Sequence, residues 1–222
     1  MPVNIAIDGP AGAGKSSVSK LVAKELDYIY VDTGALYRAV GLYALNTGAD
    51  TKNAAEVEAT LPAIKVELKF LEGEQRVYLN GNDVSEAIRA PEASMAASDV
   101  SAVPAVRAFL FDLQRNIAAE NNCVMDGRDI GTVVLPDAQI KIFLTASPEE
   151  RAGRRYRELI AKGAEVDFQQ VLEEMKQRDF NDSNRAVAPL KPAEDAAIID
   201  TTGFSLQESA GLLIKHIRKN LK

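Results

Sequence analysis

The chain has 222 residues, 46% of them hydrophobic, and a net charge of −6 from 26 basic against 32 acidic side chains. That length suits one main domain with small insertions, and no apolar run approaches the roughly 20 residues of a membrane span. The acidic balance excludes a protein built mainly to bind nucleic acid, because a phosphate backbone demands a broad basic surface. Any anionic substrate must then be small and met by local clusters of arginine. The N-terminus lacks a basic segment followed by an apolar stretch and a cleavage site, so no export signal is expected. Cys123 is the single cysteine, which precludes an intramolecular disulfide and fits a reducing cytoplasm. Nothing demands a membrane partner or more than a monomer.

In chain order, residues 3–8 are apolar and β-prone enough for a buried parallel strand. Gly9-Pro10-Ala11-Gly12-Ala13-Gly14-Lys15-Ser16 follows and spells G-x-x-x-x-G-K-S. Val18, Leu21, Val22 and Leu26 then share one face of a helix over 15–26. Strand, glycine loop and helix in that order are the context a phosphate-binding P-loop requires. Backbone N–H groups of Gly9 and of Ala11 to Ser17 (Pro10 has none) turn around phosphate, aided by the helix dipole. Lys15 would bridge the β- and γ-phosphates and the Ser16 hydroxyl would reach Mg²⁺. The chain is expected to bind a nucleoside triphosphate.

A strand over 28–32, a helix over 36–46 and helical residues 54–61 come next. Residues 64–70 and 76–79 alternate with period two and run into the turn Asn80-Gly81, an antiparallel β insertion. Residues 104–118 are helical, with Val106, Phe109, Leu110, Leu113 and Ile117 on one stripe. Buried strands are predicted at 123–126 and 140–144. Ser147-Pro148-Glu149-Glu150 reads as a helix start with a Ser-x-x-Glu capping box. A helix near 168–180, a strand at 197–200 and a helix over 205–221 complete an α/β fold, a P-loop core of five parallel strands with flanking helices.

Three arginine groups bear on function. Ligands of parallel sheets bind at the carboxyl ends of strands, so Asp32 to Arg38 and Asp126-Gly127-Arg128-Asp129 should face the site. Asp126 is there a candidate to hold Mg²⁺ through water. Arg151, Arg154 and Arg155 share a helix face by their i, i+3, i+4 spacing, as either a solvated face pairing with Glu149, Glu150 and Glu158 or a lid closing over phosphates. Arg178-Asp179-Phe180-Asn181-Asp182-Ser183-Asn184-Arg185 mixes arginines with carboxylates. A guanine-reading Asn-Lys-x-Asp is absent, which argues against an NTP-driven switch; a P-loop kinase for another small acceptor, such as UMP or a sugar, stays open.

Together the P-loop, Asp32-Thr33-Gly34-Ala35-Leu36-Tyr37-Arg38, Asp126-Gly127-Arg128-Asp129-Ile130-Gly131-Thr132-Val133-Val134 and Asn184-Arg185-Ala186-Val187-Ala188-Pro189-Leu190 resemble the bacterial cytidylate kinases. The resemblance implies transfer of phosphate from ATP, with Mg²⁺, to CMP and dCMP. It implies a core over 1–34 and 100–222 with a short helical lid near 148–166, and a monophosphate-binding region over 35–99 with its β insertion near 62–84. Arg38, Arg128 and Arg185 would hold the monophosphate, Ser98, Arg107 and Asp129 would read cytosine, and Arg178 and Asp182 would contact the sugar. Thr33 would supply a hydroxyl. Lys15, Arg128, Arg154 and Arg155 would stabilise the transferring group. One role has independent chemical support: Asp129 only accepts hydrogen bonds, which suits the cytosine amine and repels the carbonyl that uracil offers there.

Overall fold

A computed structural model of the chain describes residues 2–71, 73–161 and 163–221. The strands are β1 Asn4–Asp8, β2 Ile29–Asp32, β3 Val66–Leu71, β4 Glu74–Leu79, β5 Asn82–Asp83, β6 Cys123–Gly127, β7 Ile140–Thr145 and β8 Ala197–Asp200. The helices are α1 Lys15–Leu26, α2 Thr33–Thr47, α3 Ala54–Thr60, α4 Pro91–Val100, α5 Pro104–Glu120, α6 Pro148–Ala161, α7 Phe168–Asn184 and α8 Leu206–Asn220. A five-stranded sheet has the order β2-β6-β1-β7-β8, and β1 pairs in parallel with both β6 and β7. A second sheet, β3-β4-β5, is antiparallel. The α/β architecture with a small β insertion is thus the one the sequence predicts. Among the described residues no helix is long and apolar enough to cross a membrane.

Packing divides the chain into two compact units: Val3–Tyr28 with the residues from Cys123 onward, and Ile29–Asn122. The boundaries expected from the sequence are 34/35 and 99/100. In the first unit, Ile5, Ala6 and Ile7 are fully buried, as expected of a parallel strand covered on both faces. In the second, Leu36, Val40, Val57, Val66, Val77, Leu79, Val100, Val106 and Leu110 form one apolar cluster.

Several local expectations need correction. Helix α2 starts at Thr33 rather than 36, because the Asp32 carboxylate accepts the Ala35 N–H and caps it. Helix α4 has no counterpart among the expected elements: its buried side chains are Ala93, Ala96, Ala97 and Val100, too small to mark an apolar stripe. Their smallness is used, since a Cβ on Gly41 of α2 would lie 2.8 Å from that of Ala96. Helix α7 runs to Asn184, past the expected end at 180. The box at Ser147 is only half formed. Ser147 Oγ accepts the Glu150 N–H, but Ser147 N–H donates to Thr202 and the Glu150 carboxylate pairs with Arg154. A closed capping box occurs instead at Ser205 and Glu208, opening α8.

Candidate active site

Strand β1 carries the chain to Asp8 at the carboxyl end of the sheet, and the loop from Gly9 to Gly14 returns it to α1. Gly9 adopts φ 152° with its Cα against the backbone of β7: an added Cβ would lie 2.0 Å from the Leu144 carbonyl oxygen. Gly14 is left-handed and caps α1 without a side chain, so the first-turn N–H groups are left for a ligand. Lys15 is buried, and its Nζ donates to the Pro10 carbonyl at 2.8 Å. Burial, then the charge of Arg128, pulls its pKa down to about 7 against the opposing pull of Asp126 and Asp8. An ammonium so placed gains most from an incoming anion.

The second motif is tied to the first by Asp8. Its carboxylate accepts the N–H groups of Ile130 and Gly131, each at 2.7 Å, and burial raises its pKa to about 6. Ile130–Val134 forms a π-helical turn directly after Arg128-Asp129, a local geometry frequent at functional sites. Arg128 Nε donates to Asp182 Oδ2 at 2.9 Å, and Arg185 pairs with Asp129 at 3.4 Å while its Nε donates to the Ala188 carbonyl. Burial alone would raise the pKa of Asp182, yet the charges of Arg128, Arg178 and Arg185 hold it below the usual carboxylate value. Arg178 also depresses Lys15. The structure therefore brings Lys15, Arg128, Asp129, Arg178, Asp182 and Arg185 into one electrostatic neighbourhood. The extension of α7 supplies the reason: Arg178, Asp182 and the C-capping Arg185 are spaced i, i+4, i+7 along one helical face.

Oxygen donors suited to a hard cation are also present. Ser16 Oγ donates to Asp126 Oδ2 at 2.9 Å, and Asp126 is buried at the end of β6. Among the described residues no cluster of three or more His, Cys, Asp or Glu side chains is placed to hold a metal. Mg²⁺ fits such a site if triphosphate oxygens and water complete its shell.

The arginines of α6, grouped by sequence on one face, separate in the structure. Arg151, which sequence reasoning did not name as a site residue, is buried and clamps the P-loop. It donates to the carbonyls of Ala146 and Ala11 and pairs with Asp179 at 2.6 Å. The start of the expected lid is thus pinned. Arg154 reaches the P-loop too, donating to the carbonyls of Ala13 and Thr201. Arg155 pairs instead with Glu158 on the same helix, as a solvated face would. The expected result is that Arg154→Ala lowers kcat about 100-fold, the scale for losing one charge-stabilising donor. Arg155→Ala should stay within about twofold, and parallel steady-state assays of the two variants check the separation.

In the unit Ile29–Asn122, Arg38 pairs with Asp32 at 2.6 Å, and its Nε is buried with no hydrogen-bond partner. Thr33 is buried as the first residue of α2. Arg107 of α5 lies over the Tyr37 ring, 5.8 Å from its centroid, and contacts the Ser101 carbonyl. Ser101 Oγ in turn donates to the carbonyl of Ser98. Ser101 thus links the backbone of Ser98 to the Arg107 guanidinium at the turn between α4 and α5. Tyr37 was legible only as part of the Asp-Thr-Gly-Ala-Leu-Tyr-Arg motif.

Comparison with known proteins gives a consistent result. A family model described as cytidylate kinase matches residues 5–219. A cytidylate kinase of Caldicellulosiruptor saccharolyticus is 53% identical over 206 residues, spanning 93% of this chain and 91% of that protein. One of Caldanaerobacter subterraneus subsp. tengcongensis is 52% identical over 222 residues, 100% of this chain and 97% of its own length. The crystal structure of an uncharacterized protein from Eubacterium ventriosum covers 99% of both chains with a TM-score of 0.56 and 15% identity, a likeness of fold alone.

Proposed function

Since this chain belongs to the cytidylate kinase family, we propose that it phosphorylates CMP and dCMP to CDP and dCDP with ATP as donor. The observation that carries this is the crowding of the Arg128 and Arg178 charges on a buried Lys15, a cationic well suited to two phosphorylated substrates at once. The acceptor oxygen belongs to a phosphate with a second pKa of about 6, so it is largely ionised at neutral pH and requires no general base. It attacks the γ-phosphorus in line; the bond to the β–γ bridging oxygen breaks and ADP leaves with that electron pair. The barrier is the meeting of two anions, and positioned cations lower it.

In this reading the backbone N–H groups of Gly9 and of Ala11 to Ser17, with the Lys15 ammonium, hold the β- and γ-phosphates. Arg154 acts on the triphosphate from a lid over 148–166, while Arg155, paired with Glu158, stays on the solvent side of that helix. Mg²⁺, held by Ser16 and through water by Asp126, would supply charge neutralisation at the β- and γ-phosphates. Arg38, Arg128 and Arg185 bind the monophosphate, Arg178 and Asp182 the sugar, and Ser98, Arg107 and Asp129 the base, with Thr33 offering a hydroxyl. Residues 35–99 serve as the monophosphate-binding region.

An acceptor screen with one ATP-coupled assay over CMP, dCMP and UMP tests the assignment, and Asp129→Ala tests its base reader. The variant should lose roughly 10- to 200-fold in kcat/KM for CMP, the range of about 1–3 kcal/mol for one base contact. UMP should lose less, because a repulsion against its O4 carbonyl goes as well. The Asp129–Arg185 pair sets the rival outcome: an equal loss for both acceptors means that Asp129 only orients Arg185, and the cytosine reader is elsewhere.

A further inference from the structure

The β insertion reaches the Asp32–Arg38 pair through one side chain. Gln75 of β4 meets the backbone of Asp32 twice. The Asp32 N–H donates to its Oε1 at 2.8 Å, and its Nε2 donates to the Asp32 carbonyl at 3.3 Å. That is the pairing a neighbouring strand would offer, delivered by a side-chain amide at the last residue of β2. Asp32 is thereby fixed at its backbone while its carboxylate does two jobs, capping α2 at Ala35 and pairing with Arg38. The space is tight: a Cβ on Gly34 would lie 3.1 Å from Asp32 Oδ1 and 3.3 Å from Arg38 NH1. A small shift of Asp32 must therefore move Arg38. The unpartnered Nε of Arg38 leaves a buried donor for which this placement matters.

We infer that Gln75 is a positioning residue for the acceptor phosphate, holding Arg38 in its binding geometry by fixing Asp32 from the β insertion. The inference rests on the reading of Arg38 as a monophosphate ligand. It gives the insertion a task beyond enlarging the unit, because β4 carries the contact that finishes β2.

The test compares Gln75→Met, Gln75→Glu, Arg38→Ala and the double variant Gln75→Met/Arg38→Ala. KM for CMP, KM for ATP and kcat are measured for each, with a thermal melt to confirm folding. Gln75→Met keeps the shape and loses both hydrogen bonds. It should raise KM for CMP roughly five- to thirtyfold, the equivalent of leaving one or two half-buried backbone groups unpaired. KM for ATP and kcat should stay within about twofold. Gln75→Glu keeps an acceptor for the Asp32 N–H and should fall between wild type and Gln75→Met; it carries the test if Gln75→Met does not fold. In the Arg38→Ala background, Gln75→Met should add less than about twofold, since its route to phosphate is gone. An unchanged KM for CMP in Gln75→Met and Gln75→Glu, with a raised one in Arg38→Ala, overturns the inference and leaves the substrate reading intact. So do fully additive losses, which place the action of Gln75 elsewhere. If Arg38→Ala itself binds CMP normally, the monophosphate reading fails first.

Discussion

Lys15→Met should lose at least about 1,000-fold in kcat while the protein becomes no less stable, and the two changes have one cause. The ammonium is buried, pressed by Arg128 and held by one neutral acceptor, the Pro10 carbonyl. Without nucleotide it stands in a place that disfavours its charge. In the proposed function its ammonium faces the β- and γ-phosphates, and a preorganised charge in a dry site is worth several kcal/mol at the transition state. The stability effect has a definite pH dependence. The folded pKa is about 7 against 10.5 for an ordinary lysine, so the cost of the buried charge is fully present below pH 7. It shrinks as pH rises from 7 towards 10.5, where the unfolded chain also loses the proton. The melting temperature of Lys15→Met relative to wild type should therefore be most favourable below pH 7 and decline above it. Near-normal turnover would remove the P-loop assignment, and a stability difference that grows with pH would reverse the electrostatic account.

Gly9→Ala should cost at least about 3 kcal/mol of stability, adding overpacking to a strained backbone. For a chain of this size that lowers the melting temperature by roughly 6–12 °C. The obstacle is not a side chain that can rotate away. The new Cβ would lie 2.0 Å from the Leu144 carbonyl oxygen and 3.0 Å from its carbonyl carbon, and Leu144 is fully buried in β7. Either β7 or the P-loop must move, so nucleotide binding should weaken along with stability. Gly153→Ala is the control, since its Cβ meets nothing nearer than the Arg157 guanidinium at 3.9 Å. In the middle of α6 it should be neutral or stabilise by about 0.4–1 kcal/mol. Calorimetry on both variants separates a close-approach glycine from one that merely loosens a helix. Equal melting temperatures for Gly9→Ala and wild type would mean that β7 yields freely there.

The sequence by itself determined the parts of this protein whose physics is local. Apolar runs at 3–8, 123–126 and 140–144 pointed to covered strands, the period-two stretches to a half-wet hairpin, and G-x-x-x-x-G-K-S between strand and helix to the loop of a P-loop fold. The ordered motifs carried the family as well. Tertiary structure decided what depends on distant partners. Arg151, Arg154 and Arg155 have the same composition and helical spacing, yet Arg151 and Arg154 reach P-loop carbonyls and Arg155 its own helix, because only packing sets which arginine faces Ala11 and Ala13. Helix α4 stayed invisible since alanines mark a face only when Gly41 lets another helix come close. Asp8 and Gln75 looked like ordinary strand residues. Their importance lies in backbone groups 122 residues away for Asp8 and 43 for Gln75, and a hydrogen bond to backbone leaves no trace in the identity of the residue that receives it.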